Sequence, residues 1–138
     1  MDLQTTIDES YNPNQGATLE LLGIDGTPLM NDDGSQMTLS LLGADSDIAV
    51  KAGHSQTNRR ITQGPRAKIT AESMESDGTT LLARMTVGWN ITMGGVKPPF
   101  STEDAKKLYA NPKLAFIREQ ADAFVADRKN FLTASSGS

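Results

Sequence analysis

Few side chains in this sequence could do covalent chemistry. There is one histidine, His54, and no cysteine. Thiolate nucleophiles, disulfides and Cys-based metal sites are therefore excluded. Serines and acids are present to complete a Ser–His–Asp arrangement with His54, but no Gly-x-Ser-x-Gly turn is there to present the serine. A structural or solvated His54 is the expectation. The adjacent carboxylates of Asp32 and Asp33 sit in Asn31-Asp32-Asp33-Gly34. That run lacks the alternating ligands of a calcium loop and reads as turn chemistry. Gly94-Gly95 is followed by no Lys-Ser/Thr pair, so it is not a phosphate-binding loop. No catalytic residue, cofactor or metal is expected.

Charge is the more informative signal. Residues 1–50 hold nine acids and no base, whereas all 13 Lys and Arg follow, so the two parts carry −9 and +5. Either the two parts face each other inside one domain, or acidic and basic surfaces meet between copies or with another protein. The segment from Lys51 to Lys68 contains Lys51, Arg59, Arg60, Arg66 and Lys68 without an acid. Clustered bases can neutralise phosphates. This stretch has no interleaved aromatics for base stacking, and the whole chain is acidic, with a net charge of −4. Both facts argue against nucleic acid and favour a basic protein-docking face or a solvated helix face.

The elements that must position these groups form a single domain of α+β class. The apolar fraction is 37 %, below the usual range of about 45–50 %, so a modest core is expected. No apolar run approaches the roughly 20 residues needed to cross a bilayer. The acidic start MDLQTTIDES is not a secretory signal. Residues 1–16 lack apolar period and read as a flexible acidic arm. Two similar stretches follow, Thr18–Gly26 (TLELLGIDG) and Thr38–Ser46 (TLSLLGADS). Leu19 and Leu21, then Met37, Leu39 and Leu41, alternate with polar residues, the period of a half-buried strand. With turns at Asp25-Gly26 and Asn31–Gly34, residues 17–44 predict a small antiparallel hairpin or sheet of two or three strands. A hairpin is marginal alone and must pack on the mainly helical part that follows, residues 46–133.

In that part Ser46 caps a helix predicted over Asp47–Arg60. Gly64-Pro65 is a break, and a second helix is predicted over Arg66–Val87, carrying the stripe Met74, Leu81, Met85. Trp89 then stands at its end. Gly94-Gly95 and Pro98-Pro99 keep Asn90–Phe100 irregular. Ser101–Asp104 resembles a capping box for a short helix to Ala110. Asn111-Pro112 starts a last helix to about Thr133. Residues 134–138 form a flexible tail. Trp89 and Phe100 could clamp the loop on the core or anchor a partner, since Trp is favoured at interfaces.

Three stretches resemble phage tail assembly chaperones. Leu41–Arg60 (LLGADSDIAVKAGHSQTNRR) is similar to their strand, Asp-Ser turn and basic helix. Leu81–Ile91 (LLARMTVGWNI) is similar to their helix ending in Gly-Trp. Pro99–Leu132 is similar to their Phe-Ser/Thr-x-Glu-Asn/Asp-Ala helix, proline and final helix ending in Asn-Phe-Leu. The loop Asn90–Pro98 departs from them, with Met-Gly-Gly in place of an acidic Asp-Gly turn. The resemblance implies a non-enzymatic protein that needs no cofactor. It implies that the chain binds the tape-measure protein, and possibly the tail tube protein, in the host cytoplasm during assembly and is absent from the mature virion. A homo-oligomer is compatible with it. Methionine suits an adaptable apolar face. On this reading Met85, Trp89, Met93, Phe100, Tyr109 and Ile117 are the candidate partner-binding residues. The alternative is a retained structural subunit: a tail-tube, terminator or head–tail connector component.

Overall fold

The computed structural model describes residues 11–63 and 71–132. The Gly64-Pro65 break, the expected start of the second helix at Arg66, the first ten residues of the arm and the tail lie outside them. Three strands, β1 (Ala17–Glu20), β2 (Thr38–Leu41) and β3 (Thr86–Asn90), form an antiparallel sheet in the order β1-β2-β3. Four helices follow the first two strands: α1 (Asp47–Gln63), α2 (Ala71–Met85), α3 (Thr102–Ala110) and α4 (Ala115–Ala126). Short 3-10 turns at Pro112–Leu114 and Arg128–Phe131 flank α4. The class is α+β, as the alternation and the helical stripes predict.

The register explains the core. Leu19 pairs with Leu39, and Leu39 with Trp89, so one row of large apolar side chains crosses the sheet. Leu39 and Leu41 are fully buried, whereas Thr18 and Glu20 on the alternate positions are exposed. Period two thus sends one face inward, against Leu82, Ala83 and Met85 of α2, Ala105, Leu108 and Tyr109 of α3, and Ile117, Ala121 and Val125 of α4.

The two similar stretches share a local structure. Each strand runs into a turn, closed by Gly26 N–H on Gly23 carbonyl at 2.9 Å in the first and by Ser46 N–H on Gly43 carbonyl at 3.0 Å in the second. They diverge at the last residue. Gly26 adopts φ +84° and sends the chain back on itself. Ser46 opens α1, its hydroxyl accepting from Ala49 N–H at 3.3 Å. Between the stretches lies a three-way junction. Leu21 N–H donates to Met37 carbonyl, Met37 N–H to Leu29 carbonyl, and Leu29 N–H to Leu21 carbonyl, at 2.9, 2.8 and 3.0 Å. From this closed triangle two short turns project, around Asp25-Gly26 and Asp33-Gly34. In each, the Asp carboxylate accepts from the backbone and hydroxyl of Thr27 or Ser35 two residues on. Gln120 of α4 fixes the first turn by mimicking a strand: its side-chain amide accepts from Leu22 N–H at 2.8 Å and donates to Leu22 carbonyl at 2.7 Å.

Several expectations are corrected. The second helix stops at Met85, and Thr86–Asn90 is a strand, so Trp89 is a strand residue and not a helix end. Thr, Val and Trp favour strand, and β3 covers the edge that β2 would otherwise expose. Val87 is the extra residue of a bulge, since Ser40 pairs with Gly88 but Leu41 with Thr86. The first helix runs past Arg60 to Gln63. The last α-helix begins at Ala115 and ends at Ala126, well short of Thr133. There Asp127 accepts from Lys129 N–H at 3.1 Å, and Asn130 donates to Phe124 carbonyl at 2.9 Å. These side chains replace helical bonds and fold Phe131 back edge-on to Phe124, with centroids 5.6 Å apart.

The described end of the arm, residues 11–16, is a strap and not a free segment. Asn12 N–H donates to Phe131 carbonyl at 3.0 Å, and Gly43 N–H to Pro13 carbonyl at 2.8 Å. Asn14 accepts from Asp47 N–H at 2.8 Å, adding a distant cap to α1. Asp45 accepts from Tyr11 hydroxyl and from Arg128 Nε at 2.7 Å. The strap lies so close that a Cβ on Gly43 would stand 2.9 Å from Pro13 Cβ and 3.3 Å from Phe131 Cδ2. Gly43→Ala is therefore expected to cost about 1–3 kcal/mol through overpacking, read as a lower urea midpoint. Gly53→Ala, with open space around the new methyl, is the stabilising control, because Ala favours the helix by about 1 kcal/mol.

Candidate partner-binding groove

After β3 the chain makes a tight hairpin, Met93-Gly94-Gly95-Val96. Both glycines have positive φ, +62° and +82°, and Met93 and Val96 exchange backbone hydrogen bonds at 2.8 and 3.3 Å. Two central residues at positive φ match the right-handed strand twist, and glycine adopts that conformation freely. The hairpin holds Met93 out with 48 % of its surface exposed. Next, Trp89 Nε1 donates to Pro98 carbonyl at 3.0 Å. Its ring meets Phe100 edge-on, with centroids 5.1 Å apart and planes at 85°. Trp89 thus clamps the loop, and its remaining surface faces a cleft.

That cleft holds about 280 Å³ and is lined by Trp89, Ile91, Met93, Pro98, Leu108 and Leu114, with Asp104, Lys107 and Asn111 beside them. A second cleft of about 210 Å³ shares Ile91, Met93, Leu108 and Leu114 and adds Leu21, Leu29, Met37, Phe116 and Ile117. Four shared residues make the two clefts neighbours in one apolar groove, with Met93 and Leu114 between them. The floor is buried Ile91 and Leu108.

The structure divides the nominated residues. Met93 is exposed and Trp89 half-buried, and both line the groove, whereas Phe100 packs half-buried against Trp89 and the core and lines neither cleft. Met85, Tyr109 and Ile117 are at most 5 % exposed and belong to the core. Ile117 still lines the floor of the second cleft. Tyr109 is held internally, its hydroxyl 2.8 Å from Thr86 Oγ1. Sequence reading missed Leu29, Met37, Leu108, Leu114 and Phe116. Leu114 and Phe116 closely precede Ile117 in sequence, the one signal that could have extended the set.

Of the basic face, Lys51 is exposed on α1. Arg59 is paired with Asp77 at 2.8 Å, whose carbonyl also accepts from Gln56. Arg66, Lys68 and the side chain of Arg60 lie outside the description. His54 is exposed on the same helix. Two acids of the first part pair with later bases, Asp33 with Lys97 and Asp45 with Arg128. Lys97 and Ser35 hold the Asp33 carboxyl far below the usual range. Arg128, then Tyr11, lowers that of Asp45. Neither pair uses the segment Lys51–Lys68.

A larger cavity of about 440 Å³ opens between α2 and α3, lined by Ser76, Thr79, Thr80, Glu103, Lys106, Lys107 and Ala110. Its lysines point no convergent chemistry at one atom, and its walls lack the apolar continuity of the groove. Among the described residues no group of three His, Cys, Asp or Glu is placed to hold a metal ion, and no helix is long and apolar enough to cross a membrane. No family model matches the chain, and no curated protein or solved structure matches it.

Proposed function

We propose that this chain is a phage tail assembly chaperone that binds an apolar helical stretch of the tape-measure protein in the Trp89–Phe116 groove, without covalent chemistry, and leaves before the particle matures. The observation that carries this reading is the groove itself. It is long, apolar, open to solvent and edged by a mobile type of side chain, methionine. Helix-in-groove recognition uses such surfaces, with anchors spaced three or four residues apart. Methionine adapts to different anchors because it is unbranched and polarizable. A protein that must hold a long partner and then release it benefits from that tolerance. The resemblance in Leu41–Leu132 is what suggests this partner, and the apolar groove supports the reading.

The reading predicts where the protein is found. Quantitative mass spectrometry of purified particles beside lysate of producing cells is expected to find it abundant in lysate and absent from particles. Met93→Glu places a charge on the exposed wall of the groove and spares the core. It is expected to lower co-purification of the tape-measure protein at least tenfold, the loss of about 2 kcal/mol usual for a central contact, with an unchanged thermal transition. Retention in particles at a fixed ratio to tail subunits would replace this reading with that of a structural component. Unchanged binding by the Met93 variant would remove the groove from it.

A further inference from the structure

The charged side chains beside the groove both come from α3. Asp104 and Lys107 are followed by Asn111 just past the helix end, and buried Leu108 lies among them. Residues three or four apart share one face of a helix. α3 therefore gives the groove part of its floor and a polar rim as well. Asp104 and Lys107 line the first cleft with Trp89 and Pro98, and none of these four lines the second.

The rim groups differ in how they are used. Asn111 accepts from Lys113 N–H at 3.0 Å, and Trp89 Nε1 is committed to Pro98. Lys107 is exposed, whereas Asp104 is half-buried. The Asp104 N–H donates to Ser101 Oγ at 3.1 Å. Its carboxylate has no hydrogen-bond or ion-pair partner among the described residues, and Lys107 one turn on makes no ion pair with it. The positive end of a helix favours an acid in the first turn, but Glu103 already supplies one there. Of the two, Asp104 is the one that lines the groove. A helix seated in the groove covers that carboxylate. Taking water from a carboxylate is costly unless a partner replaces it. The occupant must therefore bring a donor.

We propose that the groove selects a helix that carries an arginine one turn from its apolar anchors, the guanidinium pairing with the Asp104 carboxylate. This inference rests on the groove reading above and adds to it the charge of the partner. Arginine suits the position on two counts. Its stem packs on the apolar wall at Trp89 and Pro98 while its head stays at the rim. Its planar fork meets a carboxylate in two parallel hydrogen bonds. Exposed Lys107, one turn further along, repels a second base, so the rim also sets the register in which the partner lies.

Trp89 is the single tryptophan of the chain, so its fluorescence reads occupation of the groove directly. The probes are three tryptophan-free peptides of about 18 residues in an Ala-Gln host, long enough to hold a helix in water. All carry two leucines four residues apart. The first has an arginine one turn before and one turn after that pair, on the same face. The second carries both arginines on the opposite face, and the third has glutamine in their place. The first is expected to bind about tenfold more tightly than either of the others, the worth of one charge-assisted hydrogen bond. Asp104→Asn leaves the backbone bond to Ser101 in place and is expected to erase that preference. Equal binding of the first and second peptides overturns the proposal and leaves the groove standing, because it reports only the attraction of a cation to an acidic chain. Equal binding of all three does the same, as does a preference that survives Asp104→Asn. If none of the peptides binds, the groove reading falls and the proposal falls with it.

Discussion

Leu39→Ala is expected to lower the unfolding free energy by about 2–5 kcal/mol. Leu39 is fully buried in the central strand, with Leu19 opposite on one side and Trp89 on the other. Trimming its side chain forfeits the transfer of buried carbons, about 0.8 kcal/mol for each. The cavity left behind adds to that, because interiors are close-packed and relax only partly. Relaxation is hard at this site. Both neighbours are held by the ladder, and Trp89 is also tied to Pro98 and meets Phe100 edge-on. The loss therefore belongs in the upper half of the range. Ile24→Ala, at the most exposed large apolar side chain among the described residues, is expected to stay within about 0.5 kcal/mol. Urea unfolding measures both, and an unchanged m value keeps the comparison one of stability alone. A loss below about 1 kcal/mol at Leu39 would mean that β2 is not the buried centre of the sheet.

Leu39 was legible in the sequence, and the reason shows what was not. Its alternation with Thr38 and Ser40 is local, as are the turn signals at Asp25-Gly26 and Asp33-Gly34 and the cap at Ser101, whose hydroxyl accepts from Asp104 N–H at 3.1 Å. The third strand was not legible. Met85 and Trp89 are four apart, which is helical spacing, and no turn residue separates Met85 from Thr86. Short apolar runs of this kind fit either period. What decides is the free edge of β2, a partner more than 40 residues away in the register Leu39–Trp89. The strap fails to announce itself for the same reason. Asn12, Pro13 and Asn14 read as loop formers, and their bonds go to Phe131, Gly43 and Asp47. The groove was half legible. Residue type pointed to Trp89 and Met93, but type alone does not say which way a side chain faces, and so Phe100, Met85 and Tyr109 were placed with them. Leu29 and Met37 join the groove only through the closed triangle of hydrogen bonds with Leu21, and no local pattern encodes that junction.

Tyr109 is expected to make the fold sensitive to alkali. Its hydroxyl is buried against Thr86 Oγ1 at 2.8 Å, and Thr86 in turn donates to Leu82 carbonyl at 2.9 Å. With that donor committed, the phenol must donate to Thr86, and it must keep its proton to do so. Burial pushes the Tyr109 pKa up to about 12. In the unfolded chain the phenol loses its proton near 10. Between those values the unfolded state binds fewer protons than the folded state, so stability falls as pH rises. The contribution is intact below about pH 10 and is lost as pH climbs towards about 12. At about 1.4 kcal/mol for each pH unit, the whole window amounts to about 3 kcal/mol. Tyr109→Phe removes the titrating group. At neutral pH it is expected to cost about 1 kcal/mol for the lost hydrogen bond, and in alkali it is expected to lose less stability than the wild type does. Urea unfolding of both proteins across the window separates this group from Tyr11, which both retain. Parallel curves would mean that the buried phenol is not what alkali attacks, whereas converging curves place the sensitivity on the Tyr109–Thr86 contact that joins α3 to the start of β3.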